Sequence, residues 1–357
     1  MNHPPLQPAE GKRILITGGT GSLGQVLVRR LLSGELGQPK QVIVFSRDEA
    51  KQHKMRLSYE HLVAATDDVI YNNARRLLRF HIGDVRDYAS VSSVMQQADL
   101  VFNAAALKQV PTCEYFPYEA VLTNITGAEN IVRAIRTNRL PVTTVVGIST
   151  DKACKPVNVM GMTKAVQERI FVQANLDCAD TRFVCVRYGN VLASRGSVIP
   201  LFHEQIRQGG PVTITTPEMT RFLMSLDEAV DTIFAALRDG NPGETYIPLV
   251  PSARMEDVAT VLIGSRPIAQ KIVGIRPGEK LHEILVSEEE AHRTITRGKF
   301  HIILPALPEL RHAEEQTSPV LDKEFSSADR VIDREMLHEL LRVNQLLIGD
   351  IMPLGAE

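Results

Sequence analysis

No apolar run in these 357 residues is long enough to span a bilayer. The first residues, MNHPPLQPAEGK, are polar and proline-rich, without the apolar core of a signal peptide. Cysteine is scarce, and Cys113, Cys154, Cys178 and Cys185 form no CxxC pair and no metal-ligand spacing. The histidines are scattered, which suits packed or surface side chains better than ligands. Neither sign of charge dominates, with 40 Lys and Arg against 42 Asp and Glu, so nothing marks nucleic acid or an anionic membrane as a partner. There is no internal repeat and no low-complexity tract. These absences lead to the expectation of a reduced, cytoplasmic, metal-free protein.

What is present is an alternation of short β-branched runs with longer helical patterns, as in a parallel sheet covered by helices. Strands are expected at Arg13–Thr17, 41–45, 80–82, 100–102, Thr144–Ile148 and 183–187, with helices at 25–33, 89–97 and 128–137. Beyond residue 190 prolines punctuate shorter elements, consistent with a smaller lobe; helices are expected at 225–238 and 334–341. The predicted fold is α/β: a Rossmann-type doubly wound parallel sheet with a smaller C-terminal α/β substrate lobe. The expected division is 11–190 plus about 222–248 for the dinucleotide-binding domain, and about 191–221 plus 249–357 for the other lobe.

Between the first strand and its helix lies Gly18-Gly19-Thr20-Gly21-Ser22-Leu23-Gly24. Gly18 permits a tight turn, Gly21 lets backbone approach a pyrophosphate, and Gly24 lets helix and strand pack closely. The helix N-terminus offers N–H groups to the anion. The Gly-x-x-Gly-x-x-Gly spacing resembles that of short-chain dehydrogenases. After the second strand comes Ser46-Arg47-Asp48-Glu49-Ala50-Lys51. Arg47, with Ser46, suits a 2′-phosphate and hence NADP; Asp48 keeps NAD open as the acid on a ribose hydroxyl. Asp84 and Val85 would bracket the adenine, and Ala104, Ala105 and Ala106 would leave room for ribose and nicotinamide.

Ser149-Thr150-Asp151-Lys152 leaves the strand ending at Ile148, at the carboxyl edge where open α/β sheets bind ligands. Oxidation of a hexose at C4 would make a 4-ketone and render the C5 proton acidic. Lys152, with its pKa lowered by burial, would abstract that proton. Asp151, kept protonated, would give its proton to the departing C6 hydroxyl. Return of the two electrons to C6 yields a 4-keto-6-deoxy sugar, and reprotonation of C5 from the opposite face would invert that centre.

The motifs GGTGSLG, FSRDEAKQ, AAALKQVPTCEYFP, STDKACKPVNVMGMTK, RYGNVLASRGSVIPLF, TRFLMSL and RPGEKLHE together resemble the inverting UDP-N-acetylglucosamine 4,6-dehydratases of bacterial surface-polysaccharide synthesis. These are extended short-chain dehydrogenases, and the resemblance covers nearly the whole chain. It implies that Lys164 bonds the nicotinamide ribose. It also implies that Met160 stands where most members carry a tyrosine acid–base, four residues before that lysine. A thioether exchanges no proton, so the C4 hydroxyl proton would pass through Thr150, Ser149 or Lys152, and Met160 would pack against sugar or nicotinamide. The resemblance further implies a UDP-sugar site. Asn190, Ser194, Arg195 and Ser197 would face the nucleotide sugar, with Lys108, Thr123 and Asn124 near the hexose. Arg221 and Arg276 would take the diphosphate, and Glu279 would take a ribose hydroxyl. A homo-oligomer is expected.

Two other functions fit the same motifs. A UDP-hexose 4-epimerase makes the same ketone but needs neither an acid at C6 nor a base at C5. A silent NADP/UDP-sugar-binding protein is favoured only by Met160.

Overall fold

The computed structural model describes residues 7–60, 68–192, 197–311 and 319–350. Six strands, β1 (Arg13–Thr17), β2 (Gln41–Ser46), β3 (Leu78–Ile82), β4 (Leu100–Asn103), β5 (Thr144–Ile148) and β6 (Arg182–Val186), lie parallel in the order β3-β2-β1-β4-β5-β6. Their side chains are apolar on both faces because helices cover both. Ile14 and Ile16 of β1 join one core with Val42 and Val44, while Leu15 joins the other with Ile43 and Phe45. This is the doubly wound arrangement expected from the alternating pattern.

The strand order reverses between β1 and β4, and this switch point opens a crevice at the carboxyl ends of the strands. Thr17 at the tip of β1 fixes that edge. Its hydroxyl donates to Asn103 Oδ1 of β4 at 2.8 Å and accepts from the Ala105 N–H at 3.2 Å.

The first helix, α1 (Ser22–Leu32), starts three residues before the expected position, directly on the glycine loop, so Ser22, Leu23 and Gly24 form its first turn. The sheet also runs further than the expected division of the chain. Strand Thr245–Pro248 pairs parallel with β6, and Phe300–Ile303 and Thr294–Arg297 add antiparallel beyond it. Residues 294–303, assigned from sequence to the smaller lobe, therefore extend the main sheet. The pattern there is short and apolar, and pairing with Thr245–Pro248 decides its place.

A separate core, including Phe202, Val212, Leu223, Val258 and Leu337, lies under the three-stranded sheet of Asn190–Val191, Thr220–Met224 and Ser252–Arg254. Residues 222–224 pair in this small sheet rather than in the large one. Among the described residues no helix is long and apolar enough to cross a membrane.

Candidate functional site

A cavity of about 1110 Å³ runs from the switch point to the core under the small sheet. At one end the glycine loop forms its floor. Gly18 has φ of 69°, and a Cβ there would lie 2.8 Å from the backbone of Ala105. A Cβ on Gly24 would lie 2.5 Å from Gly19, so both positions need hydrogen for the chain to turn and α1 to seat. Gly21 stands at the N-cap with no side-chain cap, leaving the helix end to an anion. Thr20, Ser22, Leu23, Val85, Ala104, Ala105 and Ala106 line the same end. The cradle fits a dinucleotide, because the places where side chains would block it are glycines and alanines.

The tip of β2 separates the two residues that sequence left open. Asp48 accepts from the Lys51 backbone at 3.0 Å and pairs with Lys51 Nζ at 2.9 Å, which holds its carboxyl below the ordinary range. It is occupied as the start of helix Glu49–Glu60. The Ser46 hydroxyl accepts from Gln52 Nε2 at 3.0 Å. Arg47 is exposed at the cavity and lies 3.7 Å from Asp84. Asp84 also grips Arg86 at 2.9 and 2.7 Å; burial would raise its pKa, but these bonds outweigh burial and lower it.

At the other end, Thr150 caps a short 3-10 turn, Asp151–Ala153, that places Asp151 behind the cavity wall and Lys152 in it. Asp151 is fully buried, and burial pushes its pKa up despite Lys152. Lys152 Nζ contacts Asp151 Oδ1 at 3.0 Å, Asn190 Oδ1 at 3.3 Å and Glu283 Oε1 at 3.3 Å. The expectation that burial lowers the Lys152 pKa is therefore corrected. Burial does act downward, but Asp151 and Glu283 together raise it. Thr150 Oγ1 donates to Asp151 Oδ1 at 2.9 Å. Ser149, by contrast, is committed elsewhere, donating to Glu168 Oε1 at 2.5 Å.

Helix Val159–Asp177 carries both Met160 and Lys164 to the cavity wall. Met160 is buried and packs with Cys113 and Ala120 as well as bordering the cavity. Lys164 is buried, and burial lowers its pKa to about 8. Its ammonium donates to the Ile148 carbonyl at 2.5 Å and Gln167 Oε1 at 2.7 Å.

Lys108, Thr123, Asn190, Ser197, Arg276 and Glu279 line the cavity. Ser194 and Arg195 lie outside the described residues. Two expected contacts differ. Asn124 is not on the cavity wall; it accepts from the Leu107 N–H at 2.8 Å and donates to the Leu107 carbonyl at 3.0 Å and Thr163 Oγ1 at 2.9 Å. Its amide is used to brace the loop after β4 against the helix of Lys164. Arg221 does reach the cavity, but its guanidinium donates to the carbonyls of Thr220, Leu281 and Lys280 at 2.7, 3.2 and 3.0 Å and lies 3.8 Å from Glu283. It is not an open fork for a diphosphate, whereas Arg276 is exposed.

Glu283 was missed. It closes the motif RPGEKLHE, buried at the cavity wall, and pairs with a lysine from the opposite half of the chain. Its acidic character was the available signal; no spacing links it to Lys152. A second buried network sits behind. Arg187 bonds Glu168 at 3.0 and 2.6 Å and Glu290 at 2.7 and 2.9 Å. Through Ser149 this network joins the loop after β5 to residues 287–290.

Comparison with known proteins agrees with this geometry. Residues 14–305 match the polysaccharide biosynthesis protein family. A protein named UDP-glucose 4-epimerase from Rickettsia conorii is 46% identical over 340 residues, covering 92% of this chain and 95% of its own. Among solved structures, Pen from Bacillus thuringiensis has a TM-score of 0.84 and 34% identity, over 95% of this chain and 99% of that one. The dTDP-glucose 4,6-dehydratase DesIV from Streptomyces venezuelae, solved with NAD, shares the fold at TM-score 0.63 and 21% identity, over 75% and 86%. The chain thus has the extended short-chain dehydrogenase fold of nucleotide-sugar epimerases and dehydratases, and it belongs to the polysaccharide biosynthesis protein family.

Proposed function

We propose that the protein is a UDP-N-acetylglucosamine 4,6-dehydratase that inverts C5, releasing a UDP-4-keto-6-deoxy-hexosamine for surface-polysaccharide synthesis. The observation that carries this reading is the pair Asp151 and Lys152: a buried carboxyl biased toward its protonated form, touching an amine at the cavity wall. A 4,6-elimination needs an acid for the C6 oxygen and a base for C5; a 4-epimerisation needs neither.

A bound NADP would supply the oxidant for C4 and return the same two electrons to C6, so it ends unchanged. Arg47 favours the 2′-phosphate, because Asp48 is engaged by Lys51, and Asp84, 3.7 Å from Arg47, is gripped by Arg86. Lys164 would turn from the Ile148 carbonyl toward the ribose. Thr150, not Ser149, relays the C4 hydroxyl proton toward solvent, since Ser149 is committed to Glu168 while Thr150 borders the cavity. Asp151 gives its proton to the departing C6 oxygen, and Lys152 takes the C5 proton. Asn190, Ser197, Arg276 and Glu279 hold the UDP portion, with Lys108 and Thr123 at the hexose. Ser194 and Arg195 are assigned to the same nucleotide sugar. A cytoplasmic homo-oligomer completes the proposal, with a dinucleotide lobe of 11–190 that also takes in the strands at 245–248 and 294–303, and a substrate lobe built on the small sheet.

The second reading, a UDP-hexose 4-epimerase, is favoured by the name of the Rickettsia relatives. Mass spectrometry of the product formed from UDP-N-acetylglucosamine separates the two. Loss of one water supports the dehydratase; conversion at unchanged mass supports the epimerase.

A further inference from the structure

We propose that Glu283 is the proton acceptor that converts Lys152 from an ammonium into the base for C5, a role that rests on the dehydratase reading. Lys152 Nζ has three acceptors within 3.3 Å: Asp151, Asn190 and Glu283. Three acceptors match the three N–H groups of an ammonium, which has no lone pair to offer a carbon acid. Lys152 must therefore lose a proton before it can act. Asn190 cannot hold that proton. Asp151 must already carry one, because it serves the C6 oxygen. Glu283 remains.

Two features suit Glu283 to the task. Its second oxygen, Oε2, is buried without a hydrogen-bond partner, so a lone pair is available there. Its charge environment keeps it ionised at rest. Burial acts upward on its pKa, but Lys152, Arg221 and Lys280 outweigh burial and hold it below the ordinary carboxylate value. Arg221 Nε is 3.8 Å away, and Lys280 Nζ is anchored on the Cys154 carbonyl at 2.5 Å. In water, proton transfer from an ammonium to a carboxylate runs strongly uphill. Here both groups sit in the wall of a cavity that a sugar nucleotide would seal, and low dielectric favours the neutral pair.

The proton balance closes. The C4 hydroxyl proton leaves to solvent through Thr150, because Asp151 already carries its own. The Lys152 ammonium then gives a proton to Glu283, and neutral Lys152 takes the C5 proton. The electrons of the C5–H bond form the C5–C6 double bond, and the C6–O bond breaks. Asp151 protonates the leaving oxygen, which departs as water. With the two electrons returned to C6, C5 takes a proton from water on the face opposite Lys152, and Glu283 releases its proton to solvent. Asp151 regains its proton from solvent, and Glu283 ends as a carboxylate beside an ammonium.

The test compares wild type with Glu283→Gln and Glu283→Asp, following solvent deuterium entry at C5, methyl formation at C6, UDP affinity and thermal melting. Glu283→Gln should melt near wild type and bind UDP within a few-fold, but lose about 10²-fold or more in C5 exchange at neutral pH. Its rate should rise about tenfold per pH unit toward the Lys152 pKa, because the ammonium must now release its proton to solvent. Wild type should be flat over that range, falling only in acid as Glu283 becomes protonated. Glu283→Asp should recover part of the flat region. An unchanged rate, or a loss equal at every pH with the same loss in Glu283→Asp, overturns the role and leaves the dehydratase reading intact. Wild type that converts the sugar with neither C5 exchange nor a C6 methyl removes both.

Discussion

The two ends of the cavity are built by different means. The dinucleotide end is made of backbone: glycines at 18, 21 and 24, the uncapped start of α1, and alanines at 104–106. Its parts lie within short stretches of sequence, and each has a residue type that only that geometry demands. The sugar end is made of side-chain charges converging from both halves of the chain. Lys152 meets Glu283, and Arg187 joins Glu168 to Glu290. Backbone cradles tolerate no added atom, whereas charge clusters tolerate changes of shape but not of protonation. Substitutions at the two ends should therefore fail in different ways.

The largest expected effect is at the charge cluster. Lys152→Ala should lower C5–H exchange and dehydration by roughly 10²–10⁴-fold while UDP binding, followed by calorimetry, persists. Turnover within a few-fold of wild type would remove the proposed base.

At the backbone end, Gly18→Ala forces a side chain into a left-handed turn against Ala105. It should cost about 1–3 kcal/mol in denaturant unfolding and abolish dinucleotide retention. An Ala variant that retains cofactor would show that the turn has room the geometry denies.

The network behind the site predicts an acid-sensitive fold. Burial acts upward on the Glu290 pKa, but Arg187 outweighs it and depresses the value to about 2. Its contribution to stability is present above the unfolded carboxylate pKa and is lost as pH falls through that value toward 2. Glu290→Gln should flatten the decline in melting temperature over this window. An unchanged slope would assign the acid sensitivity to other carboxylates.

Arg47→Ala should weaken NADP binding by about 10–100-fold, the worth of a charged hydrogen bond, and leave NAD binding unchanged. Equal losses for both cofactors would place Arg47 on the shared part of the dinucleotide. The smallest effect belongs to Met160→Leu, which keeps volume and should cost under about 1.5 kcal/mol with turnover little changed. A loss comparable with that of Lys152→Ala would give the thioether a chemical role.

How far the sequence could be read follows the same contrast. The six parallel strands were legible within two residues because burial on both faces writes continuous apolar runs. The glycine loop was legible because its spacing is local. The strands at 294–303 were misplaced, since a short apolar pattern does not say which sheet it joins. Arg221 and Asn124 carry the chemistry expected of ligand-binding residues, yet their donors are used on the protein itself. The place of Lys152 beyond β5 was legible, but its charge state was not. A pKa belongs to the whole neighbourhood, and half of that neighbourhood is Glu283.

The central claim is elimination across C5 and C6, with Asp151 as acid and Lys152 as base. Proton NMR of the enzyme with UDP-N-acetylglucosamine and NADP⁺ in deuterated water tests it most directly. A new C6 methyl signal with deuterium at C5 is the predicted result. Conversion to the C4 epimer alone, with no methyl signal and no deuterium at C5, would contradict it.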